Sequence, residues 1–243
     1  MKVHVLLWFS RLLEEDDEDW GHSGVDRDWR YVNSLSNSVE VMRKILPGLF
    51  HWTTFHERIR QEVSSYYYEP SHALIDPRVP SEGLEWFKGR QPRVILLTNR
   101  HHYRHSGRFQ EAFGCPVFCH EAGLHEFVGG PEVKGFSFGE EVAPNIVALE
   151  VGAICPEETA LYLEEINGGA LAFADGLIRC DDGSLGFVPD FLLGDDPEEV
   201  KRELRESLRR LLVGQRFEHL FFAHGLPLIG GGKAALAAFL KKR

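Results

Sequence analysis

Apolar and polar positions follow short regular patterns from about residue 45 onward, and these patterns predict several strands. Residues 94–98 form an uninterrupted apolar run, which is typical of a strand that is buried on both faces. Residues 64–68 and 72–75 predict a β-hairpin, and residues 159–163 and 170–174 predict two further strands. Strands therefore dominate the middle of the chain.

Helical patterns lie between these strands and at the end of the chain. A short helix is predicted over residues 105–113, where Gly114 is a stop signal, and another over residues 233–240. The strongest helix pattern begins at Asp196 as N-cap with Pro197 in the first turn, and it carries one apolar face. Helices and strands in this order predict an α/β or α+β class built from layers of helix and sheet.

The first forty residues differ from the rest, because they are polar and acidic. Residues 14–19 are almost all acidic, yet Trp20 and Trp29 follow, and disordered segments are usually poor in such aromatic residues. We therefore expect residues 1–40 to be an acidic extension that packs on a main domain of residues 41–243.

The net charge is -10, from 27 Lys+Arg and 37 Asp+Glu. Such a surface repels phosphate backbones and anionic membranes, so we expect no general nucleic-acid binding and no membrane association. No apolar run approaches the roughly 20 residues that span a bilayer. The four cysteines form no CxxC pair, and the N-terminus lacks a small-residue cleavage site, which together favour a cytoplasmic protein with reduced cysteines. The sequence does not indicate an oligomeric state.

Five short motifs follow one another between about residues 45 and 240. They are ALIDP (73–77), VILLTNRHHYRHSGRF (94–109), VGAICPEETALYL (151–163), LAFADG (171–176) and FFAHG (221–225). In this order they resemble motifs of the metallo-β-lactamase superfamily. The resemblance implies an αββα sandwich, in which two sheets face each other, helices lie outside, and a metal site lies at one edge where strand ends meet.

Several ligand positions of that family are lost in this chain. Alignment on the family's threonine places Asn99 at the first histidine of the ligand motif. Tyr103 and Arg104 replace an aspartate and a histidine, and Ile154 lies at the position of a further histidine. Two bridged divalent metals need more nitrogen and oxygen ligands than remain, so we expect at most one metal ion.

Three ligand positions are retained. They are His101, Asp175 and His224, and His102 and His105 are spare candidates. Two histidines and one carboxylate form a ligand set that is used by catalytic zinc and by non-haem iron. The resemblance therefore implies one zinc or iron ion, or none.

Two functions are compatible with this pattern. The first is a metal-dependent hydrolase of unknown substrate, in which Arg104 holds an anionic group of a small substrate and Tyr103 donates a hydrogen bond to a developing oxyanion. The second is a non-catalytic binding or scaffold protein that has lost the metal centre and binds a small anion through Arg100, Arg104 and neighbouring histidines.

Simpler explanations exist for each candidate residue. The histidines of the second motif could be solvated loop residues, and Asp175 before Gly176 is an ordinary turn signal. His224 could be a strand-end histidine that hydrogen-bonds the backbone. For Cys119 and His120, structural burial is a better explanation than metal binding, because consecutive strand residues point to opposite faces.

Overall fold

Two large sheets form the centre of the fold in the computed structural model, which describes residues 41–242. The predicted packing of an acidic extension over residues 1–40 lies outside the described residues. Within the described part of the chain, no helix is long and apolar enough to cross a membrane.

The first sheet has seven strands in the order β1-β2-β3-β4-β5-β6-β7. Its strands are β1 Arg43–Leu46, β2 Leu49–His56, β3 Gln61–Tyr68, β4 Ala73–Ile75, β5 Val94–Leu96, β6 Val117–His120 and β7 Val133–Phe136. The pairs from β1 to β4 are antiparallel, and the pairs from β4 to β7 are parallel. The predicted hairpin is confirmed as β3 and β4.

The second sheet has five strands in the order β14-β11-β10-β9-β8. Its strands are β8 Glu141–Ala143, β9 Ile146–Glu150, β10 Thr159–Leu163, β11 Ala170–Phe173 and β14 His219–Phe222. β11 and β14 are parallel, whereas the other pairs are antiparallel. A small hairpin of β12 Ile178–Arg179 and β13 Leu185–Gly186 follows β11.

The helices agree with the sequence patterns. They are α1 Ser106–Phe113, α2 Pro197–Gly214 and α3 Gly232–Lys241, with short 3₁₀ helices at Glu69–Ser71, Leu84–Phe87, Arg100–His102, Glu121–Phe127 and Asp190–Leu192. Asp196 caps α2 by accepting a hydrogen bond from the amide of Glu199, and Gly114 ends α1 in the left-handed conformation. Both cap predictions are confirmed.

Alternation along the strands produces three layers of core. Tyr66 and Tyr68 point to the inner face, where the two sheets pack together, while Tyr67 points outward with Trp52 against the 3₁₀ helices and α1. Leu204 and other apolar residues of α2 pack on the outer face of the second sheet, together with α3. The helix, sheet, sheet, helix order is the predicted αββα sandwich.

Candidate metal centre

The candidate site lies where strands of both sheets end. Asp76 follows β4 and Thr98 follows β5, and these two strands are parallel. Asp175 follows β11 and His224 follows β14, and these two strands are also parallel. The amide of Thr159, at the start of β10, donates a hydrogen bond to the carbonyl oxygen of Thr98 at 2.9 Å, which joins the two sheets at this edge.

Three side chains from distant parts of the chain converge at this edge. One potential ligand atom each from His102, Asp175 and His224 lies within 4.8 Å of the others. Nε2 of His224 is 3.2 Å from Oδ1 of Asp175, and Nε2 of His102 is 3.6 Å from the same oxygen. Among the described residues this is the one such group of histidine, cysteine and carboxylate side chains.

Asp76 determines which nitrogen of His102 faces this group. Nδ1 of His102 is 3.0 Å from Oδ2 of Asp76, and Oγ1 of Thr98 also donates a hydrogen bond to Oδ2. The other oxygen, Oδ1, accepts the amide of Thr98 at 2.9 Å. Because an ionised carboxylate only accepts hydrogen bonds, the proton of neutral His102 belongs on Nδ1, and the lone pair of Nε2 faces Asp175.

The structure places His102, rather than the predicted His101, in the convergent group. The amide of His101 donates to Oδ1 of Asn99 at 3.0 Å, so Asn99 caps the 3₁₀ helix Arg100–His102. This turn carries His102 to the position between Asp76 and Asp175. His101 is not a member of the convergent group, although the charge of Asp175 acts on its side chain, and its role as a ligand stays a prediction.

The ring of Tyr103 and the guanidinium of Arg104 contact residues of the fold outside the three convergent side chains. The ring of Tyr103 packs near Phe127, with ring centres 5.8 Å apart. Nη1 of Arg104 donates to the carbonyl oxygens of Ser64 at 2.7 Å and Asp76 at 2.8 Å, which ties the turn to β3 and β4. Nη2 of Arg104 is buried and has no hydrogen-bond partner. The catalytic roles of both residues remain predictions, and for Arg104 the Nη1 atom is already committed to two main-chain carbonyls.

Comparison with known proteins identifies the architecture. No protein-family model and no curated protein matches the sequence. Solved structures do match, among them a metallo-β-lactamase family protein of Thermus thermophilus, with a TM-score of 0.56, 22% identity, and coverage of 81% of this chain and 79% of that one. A metallo-β-lactamase of Erythrobacter litoralis has a TM-score of 0.62 at 12% identity, with coverage of 86% and 99%.

The chain has the metallo-β-lactamase fold. A third structural neighbour was solved in a di-iron-bound form, with a TM-score of 0.53, 25% identity, and coverage of 80% of this chain and 96% of that one. The expected fold is thus confirmed.

The charged side chains at this edge of the metallo-β-lactamase fold shift one another's pKa values. Burial opposes protonation of His102, but the carboxylates of Asp76 and Asp175 outweigh burial and raise its pKa to about 9. Burial would raise the pKa of Asp175, yet His102 and His224 hold it well below its usual range. Burial and Arg100 lower the pKa of His101 to about 4, so His101 is neutral at pH 7. Without a metal, His102 is therefore a cation between two carboxylates.

Arg100 is held inside the protein. Its Nη1 forms an ion pair with Oε1 of the fully buried Glu157, and its Nε lies 3.5 Å from Oε2 of Glu126. Only 8% of its side chain is exposed. The hypothesis that Arg100 binds a small anion therefore does not fit this arrangement, because the guanidinium instead fastens the turn after β5 to the 3₁₀ helix Glu121–Phe127.

Three residues of the site were absent from the predicted set. Asp76 orients His102, and Asn99 donates a hydrogen bond to Asp175. Glu158 accepts the amide of Gly176, the residue after Asp175. The ALIDP motif could have indicated Asp76, because it places a carboxylate directly after a buried strand. Burial and Asp175 raise the pKa of Glu158 to about 8, and no sequence pattern indicated that this side chain lies inside the protein.

The donor set fits one metal ion. His102 and His224 offer imidazole nitrogens, Asp175 offers a carboxylate oxygen, and Asp76 supplies the outer hydrogen bond that orients a histidine ligand. At two of the replaced family positions, Asn99 donates its NH₂ group to Asp175, and Ile154 packs against the apolar core beside the second sheet.

Proposed function

We propose that this chain is a metal-dependent hydrolase that uses a single zinc or iron ion bound by His102, Asp175 and His224. The convergence of these three side chains from separate strand ends carries the proposal. The Asp76 hydrogen bond adds to it, because that bond directs the lone pair of His102 into the group. Two histidines and a carboxylate leave a coordination position open for water or substrate.

The metal and the surrounding residues would have different roles in hydrolysis. A metal ion bound there would lower the pKa of a water molecule and polarise an ester, thioester or phosphoester oxygen. Asp175 and His224 present Oδ1 and Nε2 from rigid strand ends, which limits their movement during a reaction. The predicted role of Arg104 is to hold an anionic group, and its Nη2 is a donor that has no hydrogen-bond partner, so the substrate we expect is a small anionic molecule.

Metal content and hydrolysis test the proposal together. The full chain is purified without chelator, its zinc and iron are measured, and esters, thioesters and phosphoesters are screened. We expect about one ion per chain, by ligand count. Asp175→Ala and His224→Ala should lose both the ion and any hydrolysis, whereas the matched controls Asp195→Ala and His120→Ala should keep both. Hydrolysis that survives both ligand substitutions would place the active site elsewhere.

A second function is supported by the hydrogen bonds at the site. Asn99 donates to Asp175, and His102 lies between Asp76 and Asp175, so the polar groups are partnered even without an ion. This arrangement suits a non-catalytic binding protein that kept the fold. A purified chain that contains no metal, takes up none from added zinc, and hydrolyses nothing in the screen would favour this second function.

A further inference from the structure

The two oxygens of Asp175 have different environments. Oδ1 faces His102 and His224, and it belongs to the convergent group. Oδ2 accepts a hydrogen bond from Nδ2 of Asn99 at 2.9 Å. One oxygen is therefore directed to the candidate metal position, while the other is occupied by a neutral amide.

The orientation of the Asn99 amide follows from its three partners. Nδ2 donates to Oδ2 of Asp175 and also to Oε2 of Glu158, which is 3.2 Å away. Oδ1 accepts the amide of His101 at 3.0 Å. A flipped amide would place its oxygen against two carboxylates and its NH₂ group against a backbone N–H, so the observed orientation is the one that satisfies all partners.

Glu158 holds the same aspartate from a second direction. It is fully buried, and its Oε1 accepts the amide of Gly176, the residue after Asp175, at 2.6 Å. A Cβ atom at Gly176 would lie 2.8 Å from Cγ1 of Val151 and 3.2 Å from Oε1 of Glu158, so the backbone approaches closely because this residue is glycine. Glu158 thus fixes Asp175 through its neighbour's backbone and through Asn99.

We propose that Asn99 and Glu158 are positioning residues that present a single oxygen of Asp175 to the metal and exclude a second ion. An amide NH₂ group has no lone pair for a metal, and Asn99 places this group on the oxygen that a second ion would need. The inference rests on the proposed function, and it explains the single-ion limit by an occupied position as well as by lost ligands.

Replacing Asn99 by aspartate reverses this arrangement with almost no change in shape. The variant would place a carboxylate at residue 99 directly against the carboxylate of Asp175 and beside Glu158, so that acceptor oxygens face each other where an NH₂ group stood before. A divalent cation relieves the repulsion among them. We expect Asn99→Asp to bind two zinc ions per chain, where the unchanged protein binds one.

The experiment is equilibrium dialysis of the metal-stripped full chain against zinc, with zinc measured by atomic absorption. The control Asn99→Ala removes both hydrogen bonds to the carboxylates together with the cap of the turn before His102, and it adds no charge. It should therefore still bind one ion, about 10-fold to 100-fold more weakly, as expected for loss of an outer-shell partner. Circular dichroism and thermal melting show whether each variant is folded. If Asn99→Asp does not fold, Glu158→Gln replaces it. A glutamine has one acceptor oxygen where Glu158 has two, so its NH₂ group must face the donor of either Gly176 or Asn99, and zinc binding should weaken in the same range.

The outcomes separate the two proposals. An unchanged protein that binds neither zinc nor, in a parallel dialysis, iron refutes the proposed function itself. One zinc in the unchanged protein and one in folded Asn99→Asp refutes the role of Asn99 and leaves the proposed function standing. Two zinc ions in the unchanged protein, or an Asn99→Ala affinity equal to that of the unchanged protein, also overturn the inference.

Discussion

Replacing Asp76 by asparagine should move the proton of His102 to the nitrogen that faces the candidate metal position. Oδ1 of Asp76 accepts the amide of Thr98, so the asparagine oxygen must take this position. Its NH₂ group then faces Nδ1 of His102, which has to become an acceptor. The proton of neutral His102 consequently moves to Nε2, and the lone pair that would bind the metal is lost.

The size of the effect follows from this loss. Outer-shell partners of metal ligands typically contribute 10-fold to 100-fold in metal affinity. We expect the upper end, roughly 100-fold or about 2.7 kcal/mol, because the substitution reverses the tautomer as well as removing a hydrogen bond. The backbone should tolerate the change, since Asp76 has φ of 45°, a conformation that asparagine adopts about as readily as aspartate.

Competition with a chromophoric chelator measures the zinc affinity of the full chain and of Asp76→Asn. Thr98→Val is the control, because it removes a hydroxyl that contacts both Asp76 and His102 and leaves the contact between Asp76 and His102 in place. Its zinc affinity should fall less than tenfold. A folded Asp76→Asn protein with unchanged zinc affinity would refute the assignment of His102 Nε2 as a ligand.

Two further predictions concern stability. Burial, together with the charge of Arg43, lowers the pKa of His51 from its ordinary 6.5 to about 4. Between these two pH values the unfolded chain binds a proton at this histidine and the folded chain does not. The free energy of unfolding should therefore fall by roughly 3 kcal/mol as the pH is lowered from 6.5 to 4. Urea titrations at several pH values should show a smaller fall in the free energy of unfolding for His51→Gln. An equal fall in both proteins would contradict this. Gly169→Ala should lower stability by more than about 1 kcal/mol, because φ is +80° and the new Cβ would collide with the carbonyl oxygen of Arg216. The control is Gly214→Ala, because a Cβ atom at this position meets nothing within 4 Å, and its melting temperature should be unchanged or higher. Equal melting temperatures of the two alanine variants would contradict the prediction.

The layers of the fold could be predicted because strand and helix periodicity leave clear patterns in the sequence. Asp175 and His224 could be placed at strand ends for the same reason, since each follows an apolar strand and precedes a glycine. His102 could not be distinguished from His101, because the choice depends on a turn that Asn99 caps. Spacing along an irregular turn does not determine which side chain points inward.

The sequence also could not predict which charged side chains are buried. Glu157 and Glu158 have the pattern of a solvated acidic pair, yet both are fully buried. Their burial depends on partners far along the chain, since Arg100 pairs with the first and Asn99 with the second. Arg100 was expected to face a ligand for the same reason, because a sequence does not show which opposite charge a folded chain brings to a guanidinium.

The central claim is that one metal ion binds between His102, Asp175 and His224. Anomalous diffraction at the zinc edge, from crystals of the full chain equilibrated with zinc, tests it most directly. We expect one peak per chain, about 2.0–2.2 Å from Nε2 of each histidine and from Oδ1 of Asp175. No peak, a peak held by other residues, or two adjacent peaks at this site would contradict the claim.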